Sequence, residues 1–367
     1  MSTINSILNL EKYKSEIISF LNDLVAIDAS EIEKEIINRI KEEMLKVGFD
    51  KITIDPFGNI LGFIGKGEKI IAIDAYVDDI KKTNDNLIFD NEEIILNDDA
   101  THKLGIVTAV YTAKAFQELG FDKQFCLVVV GSISKNKCPG LSWQYILEED
   151  KIKPEFVLLT DPTNGNINLG HLGKIKYRVV VKGMDNSTKY LKQIIEEIKE
   201  RKNRFHKDEF FGIVEINISE IFKKENTDCC WVIVEEQLAI NESFQTVINE
   251  INNLPTVKLT NAKVAICDYE KASYTGLVYP SKTTYPSWFM NKDNKLVQAA
   301  TKAYSNTYDS QPHFSKWNNI TNGSTIAGKH NINTIGFSVE NNHKKIKIRD
   351  ICRVIDIYLN TILIYFS

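Results

Sequence analysis

The chain has 367 residues, 43% hydrophobic and 26% charged, enough for two cores of ordinary soluble proportions. Its formal net charge of −4 and pI near 6.0 argue against a basic surface for nucleic acid or anionic membrane. Six cysteines are scattered without a C-x-x-C pair, so no disulfide framework is expected. The N-terminal segment lacks a basic n-region, and no apolar run approaches about eighteen residues, so a cytoplasmic protein with no membrane partner is expected.

From the N-terminus, Tyr13, Ile17, Phe20, Leu21, Leu24 and Val25 share one face of a helix over residues 11–27. Ser30 to Glu33 forms a capping box for a second helix to about Val47, with Gly48 at its C′ position. Short β-rich runs follow at 51–55, 60–64 and 69–75, the first two joined by a Pro56-Phe57-Gly58-Asn59 turn. Gly62, Gly65 and Gly67 read as a hairpin; no helix follows them, so they do not read as a nucleotide loop. Residues 104–119 predict a helix that Gly120 stops, and 125–131 a buried parallel strand carrying Cys126 as a buried thiol. A helix at 140–149 and a strand at 156–160 complete an alternation typical of an α/β sandwich with a largely parallel sheet.

After Gly173 the pattern changes. Residues 174–182, 212–222 and 231–240 alternate like half-exposed strands, with helices at 188–201 and 243–253 and a last strand at 263–269. That β-α-β-β-α-β order is ferredoxin-like. From about Asn294 the helix–strand alternation resumes, at 295–304, 332–337 and 352–365. The expected fold class is therefore α/β: an α/β/α sandwich over 1–173 and 286–367, with a ferredoxin-like α+β domain inserted at 174–285.

Four segments carry a family likeness: I-I-A-I-D-A-Y-V-D-D (70–79), N-D-D-A-T-H-K-L-G (97–105), G-S-I-S-K-N-K-C-P-G-L-S-W-Q-Y (131–145) and K-P-E-F-V-L-L-T-D-P-T (153–163). With S-Y-T-G-L-V-Y-P (273–280) and T-N-G (321–323), the chain resembles the co-catalytic zinc metallopeptidases over nearly its whole length. That family includes acetylornithine deacetylase, succinyl-diaminopimelate desuccinylase, aminoacylases and carboxypeptidases. The text is most similar to the selenium-metabolism-linked hydrolase subfamily. The resemblance implies a zinc-aminopeptidase-like sandwich whose inserted domain serves as lid and dimerisation unit.

It also implies a two-zinc centre, and here the chain departs from the pattern. The first ligand histidine falls on Tyr76, and the aspartate that orients it is kept as Asp78. The bridging aspartate falls on Thr101, and the general base and its neighbouring ligand glutamate fall on Lys135 and Asn136. The next ligand carboxylate is kept as Asp161, whereas the last ligand histidine falls near Ile346. In the inserted domain the expected histidine is missing from G-M-D-N-S-T-K, and Glu235 and Glu236 stand where a basic residue is expected. A threonine hydroxyl cannot replace a bridging carboxylate, and a protonated lysine has donors but no acceptor.

Two functions follow. One is an inactive homologue with no cofactor, acting as a ligand-binding or partner subunit. It would dimerise with itself through the inserted domain or join an active paralogue, with Thr321, Asn322, Gly323 and the aromatic 274–288 segment lining a small-molecule cleft. The other is an active zinc-dependent hydrolase of small N-acyl, peptide or ureido compounds, its site rebuilt around Asp78, Asp161 and a recruited His102 or His343. Lys135 either fills the vacated metal cavity, pairing with Asp78 and Asp161, or points to solvent. His171 and His313 have no partner at metal-like spacing and read as structural or surface groups.

Overall fold

A computed structural model describes residues 10–27, 32–77, 88–90, 93–95, 98–134, 137–183, 185–201, 208–224, 227–339 and 345–367. Helices α1 (Lys14–Ala26) and α2 (Ile32–Val47) lead into strands β1 (Lys51–Ile54), β2 (Ile60–Ile64) and β3 (Lys69–Tyr76). A small hairpin, β4 (Ile88–Asp90) and β5 (Glu93–Ile95), precedes the long helix α3 (Asp98–Glu118). Strand β6 (Phe125–Ser132), helix α4 (Leu141–Glu148) and strand β7 (Phe156–Leu159) follow. The short strands β8 (Ile167–Asn168) and β9 (Gly170–His171) lead out of this domain.

The second domain comprises β10 (Gly173–Lys182), α5 (Ser187–Arg201), β11 (Ile216–Lys223), β12 (Cys229–Leu238), α6 (Phe244–Asn252), α7 (Pro255–Thr260) and β13 (Lys263–Ile266). The chain returns through β14 (Asp268–Tyr269), β15 (Ser281–Lys282), β16 (Thr284–Tyr285) and β17 (Trp288–Phe289). It finishes with α8 (Lys295–Tyr308), β18 (Phe314–Ser315), a π-helical turn (Ser324–Lys329), β19 (Asn333–Gly336), β20 (Lys345–Lys347) and α9 (Ile348–Phe366).

The main sheet runs β1-β2-β6-β3-β7-β19-β8-β18. Its centre, β6, β3, β7 and β19, is parallel. Along these strands alternate residues serve opposite layers, which is why the runs are apolar throughout. Ile71, Ile73, Leu127, Val129, Phe156 and Leu158 join the core under α1, α2, α3 and α9. Ala72, Val128, Val130, Val157 and Leu159 join a second core with Trp143, Ile146 and Ile326. Each fully buried side chain of this kind stabilises the fold by roughly 1.5–3 kcal/mol. Asp74 and Tyr76 share the face of Ala72, so strand geometry alone aims them at the second layer.

The inserted domain has sheet order β11-β12-β10-β13, with a separate core of its own under α5 and α6. The α/β sandwich and its ferredoxin-like insertion thus match the architecture read from the sequence.

Four details differ. Gly62, Gly65 and Gly67 do not form a hairpin, because β6 lies between β2 and β3. The glycines instead let the crossing segment press on β6: a Cβ on Gly65 or Gly67 would lie 2.1 Å from the carbonyl oxygen of Phe125 or Gln124. Helix α3 begins at Asp98 rather than Leu104; acids at a helix start are a weaker signal than apolar spacing. Helix α7, opening on Pro255, has too few residues for its periodicity to be read. Cys126 is only half-buried; all six cysteines are free thiols. The Ser30–Glu31 part of the capping box lies outside the described residues. No helix among the described residues is long and apolar enough to cross a membrane.

Candidate functional site

The parallel strands end together at Tyr76, Ser132 and Leu159, the edge where open α/β sheets bind ligands. Asn322, fully buried, ties these ends together. Its Oδ1 accepts from the Tyr76 hydroxyl at 2.8 Å and from the Gly140 N–H at 3.0 Å. Its Nδ2 donates to Asp74 Oδ2 at 2.8 Å and to Ser132 Oγ at 2.9 Å. One amide therefore pins β3, β6 and the start of α4. Gly140 is needed there: its φ is +84°, and a Cβ would lie 2.3 Å from Thr325 Oγ1.

Two titratable groups flank this amide. Burial pushes Asp74 up to about 7, and the nearby Asp161 charge adds to the effect, against the hydrogen bond from Asn322. Among the described residues Asp74 Oδ1 and the Trp143 indole nitrogen, both buried, have no hydrogen-bond partner, although the indole lies near enough to favour the carboxylate. Burial holds His171 down to about 4, so its ring is neutral at pH 7. Nδ1 sits 2.8 Å from the Leu172 carbonyl, which assigns the proton to it, and Nε2 accepts the Thr321 N–H at 3.1 Å. His171 thus orients the T-N-G turn, and its ring meets Trp288 edge-on at 5.6 Å. Gly323 completes the turn, its missing Cβ leaving room for the Trp288 ring 2.3 Å from that position.

The expected ligand-lining residues Thr321, Asn322 and Gly323 therefore face inward as supports and are buried. The interdomain cleft above them is lined instead by the preceding Asn319 and Ile320. Tyr285 lines it too, whereas Trp288 is buried and Tyr274 docks on the Gly58 carbonyl at 3.0 Å.

The expected metal positions separate as follows. Tyr76 is engaged with Asn322, and Asp161 is buried just past β7. Ile346, 1% exposed on β20, belongs to the apolar core. Thr101 and His102 are described only by their backbone, which is helical, on α3. Asp78, Lys135, Asn136 and His343 lie outside the described residues. Among the described residues no three His, Cys, Asp or Glu side chains gather. The two-zinc centre of the resemblance does not fit the described positions: a phenol donating to an amide, one carboxylate and an isoleucine are not a zinc ligand set.

In the inserted domain Glu236 and Glu235 face opposite sides of the sheet. Glu236 is fully buried, accepting from Arg201 Nη1 at 2.8 and 2.9 Å and from the Tyr177 hydroxyl at 2.9 Å. Glu235 faces the cleft, bound to Lys174 at 3.1 Å and Lys176 at 3.3 Å. The charge pattern of these lysines was hidden in the sequence, since strand alternation places them but only the fold shows what they face.

No protein-family model matches the chain. It is 36% identical over 357 residues to the uncharacterized protein YgeY of Escherichia coli K12, covering 90% of this chain and 89% of YgeY. Its fold is similar to the aminopeptidase PepT of Bacillus cereus, with a TM-score of 0.69 at 15% identity over 98% of this chain and 100% of PepT. It is also similar to Bacillus subtilis YxeP, a dinuclear metal-binding peptidase of the M20 family, at TM-score 0.67 and 12% identity over 96% of this chain and 99% of YxeP. The chain belongs to the same protein family as YgeY, built on the fold of the M20 peptidases.

Proposed function

We propose that this chain is a metallopeptidase-fold protein that has lost hydrolase activity and acts by binding a small molecule in its interdomain cleft. The observation that supports this most is the Tyr76–Asn322 hydrogen bond, which commits the ligand-histidine position to a structural network. The buried, apolar Ile346 and the lysine and asparagine at 135 and 136 point the same way. Within the family the string likeness favours the selenium-metabolism-linked branch. Six free thiols favour a reducing, cytoplasmic compartment.

The partner is a second copy or an active paralogue, bound through the inserted domain. The edge strand β11 supports this, because Ile221 is 64% exposed and Phe222 46% exposed on it. Sedimentation of the pure protein tests self-association, and co-purification with the paralogue tests the heteromer.

Metal content decides between the two functions. After loading with zinc, cobalt and manganese, less than about a tenth of an equivalent is expected to remain bound, with no turnover of N-acyl amino acids, dipeptides or ureido compounds. The second reading, an active hydrolase, is favoured by the retained buried Asp161. One tightly held metal and a measurable turnover, both lost in Asp161→Ala, would establish it in place of the first.

A further inference from the structure

The cleft has two continuous lobes, of about 520 and 600 Å³, that meet at Lys174, Glu235, Asn319 and Ile320. Either volume suits a small organic ligand. Strand alternation brings Lys174 and Lys176 to the same side of β10, while Ile175 and Tyr177 turn to the core beneath. Register places Lys176 directly opposite Glu235 on β12. That single carboxylate accepts from both ammonium groups, which remain roughly a third exposed to the cleft. Each ammonium has three donors, so neither is exhausted by one carboxylate.

Each end of the trough carries a further lysine. Lys316 lines one lobe, with its ammonium 5.8 Å from the centre of the Phe211 ring, and Lys271 lines the other. The acid at the second end, Asp268, is already paired with Lys282, outside the lining. In a protein of net charge −4 this is a local reversal of sign. Glu215 lines the Lys316 lobe as well, so the excess of positive charge lies in the lobe of Lys176 and Lys271, where a charged cleft between low-dielectric walls concentrates counter-ions.

We infer that the cleft binds a small organic dianion, held against the Lys174–Glu235–Lys176 triad on the side of Lys271. This rests on the binding reading above and names its ligand class. The shared chemistry is anionic oxygen, whether of carboxylate or of phosphate. Glu235 has a defined part: it spaces the two lysines and competes with the ligand for them.

The test is a charge series on one skeleton, measured by calorimetry at low salt: glutarate, glutaramate and glutaramide, with glycerol 3-phosphate as the phosphate arm. Affinity is expected to fall about tenfold for each charge removed, and to weaken steeply at high salt. Lys176→Met and Lys174→Met should each lose about tenfold for the dianion, while Glu235→Gln should tighten it severalfold. Circular dichroism of each variant confirms that its fold is kept. If glycerol 3-phosphate alone binds with this variant pattern, the site stands and phosphate is its anion. Equal binding of glutaramide and glutarate, unchanged affinity in both lysine variants, or silence of every anion would overturn the inference. Mass spectrometry of the probes separates the two claims, because cleavage of glutaramate or glutaramide with charge-ordered affinity would sink the non-hydrolytic reading and leave this one intact.

Discussion

The Tyr76 hydroxyl meets Asn322 Oδ1 at 2.8 Å, across 246 positions of sequence. The two residues come from the first and last parts of a domain that the inserted domain interrupts. Their bond ties together the edge where the parallel strands end, so Tyr76 contributes to the stability of the domain.

Removing the parts of that network should cost unequal amounts. Tyr76→Phe takes away one hydrogen bond while Asn322 Oδ1 keeps the Gly140 donor, and about 1 kcal/mol is expected. Asn322→Leu preserves volume but takes a hydrogen bond from four partners, three of them on the buried strands β3 and β6, and about 3–5 kcal/mol is expected. Urea unfolding measures both. Equal losses would contradict a central role for Asn322.

Asp74 and His171 oppose each other in their pH dependence. Asp74 is raised from 3.8 to about 7, so its contribution is full at low pH and is lost as pH rises toward 7. His171 is lowered from 6.5 to about 4, so its contribution is full above about 6.5 and is lost as pH falls toward 4. Each spans a few kcal/mol, and between pH 4 and 6.5 they largely cancel. Asp74→Asn should therefore leave a protein that loses stability on acidification, and His171→Gln one that loses it toward neutrality. Thermal midpoints across this range check the pair; identical slopes in both variants would refute the assignment.

Arg201 and Glu236 form a buried pair, 3% and 0% exposed. Arg201→Met leaves the carboxylate uncompensated, and a loss of about 3–5 kcal/mol is expected. The double variant with Glu236→Leu should recover most of it, because two apolar groups carry no desolvation cost. A double-mutant cycle gives the coupling directly.

At Gly323 the expected cost is steric. Gly323→Ala places a methyl 2.3 Å from the Trp288 ring, and overpacking of this kind costs about 1–3 kcal/mol. The near-ultraviolet circular dichroism of Trp288 should change with it. An unchanged spectrum and midpoint would mean that the turn relaxes freely.

Much of the fold was readable because local rules and tertiary packing agree. The runs at 125–131 and 156–160 are apolar on both faces, as strands covered by two layers must be. The insertion of β6 between β2 and β3 was not readable, since pairing order is decided by contacts distant in sequence. The site divides similarly. Aligning residues with the family pattern singled out Tyr76, Asp161 and the T-N-G turn; the turn was expected to line the cleft, and the fold buries it. Asp74 carried its own signal, a carboxylic acid within an apolar buried strand, which the search for metal ligands passed over. Lys174 and Lys176 carried only the alternation of a half-exposed strand.

The segments leaving and re-entering the main domain are zipped together. In β9 and β17, His171 pairs with Trp288 and Gly170 with Phe289. The inserted domain is thus attached by a two-stranded ribbon, and ribbons twist more readily than they stretch. His171 and Trp288 in this ribbon also touch Thr321 and Gly323, the neighbours of Asn322. Any swing of the inserted domain would therefore act as torque on the anchor of the strand ends. A change in the twist of the ribbon would reach the Tyr76–Asn322 bond through these contacts.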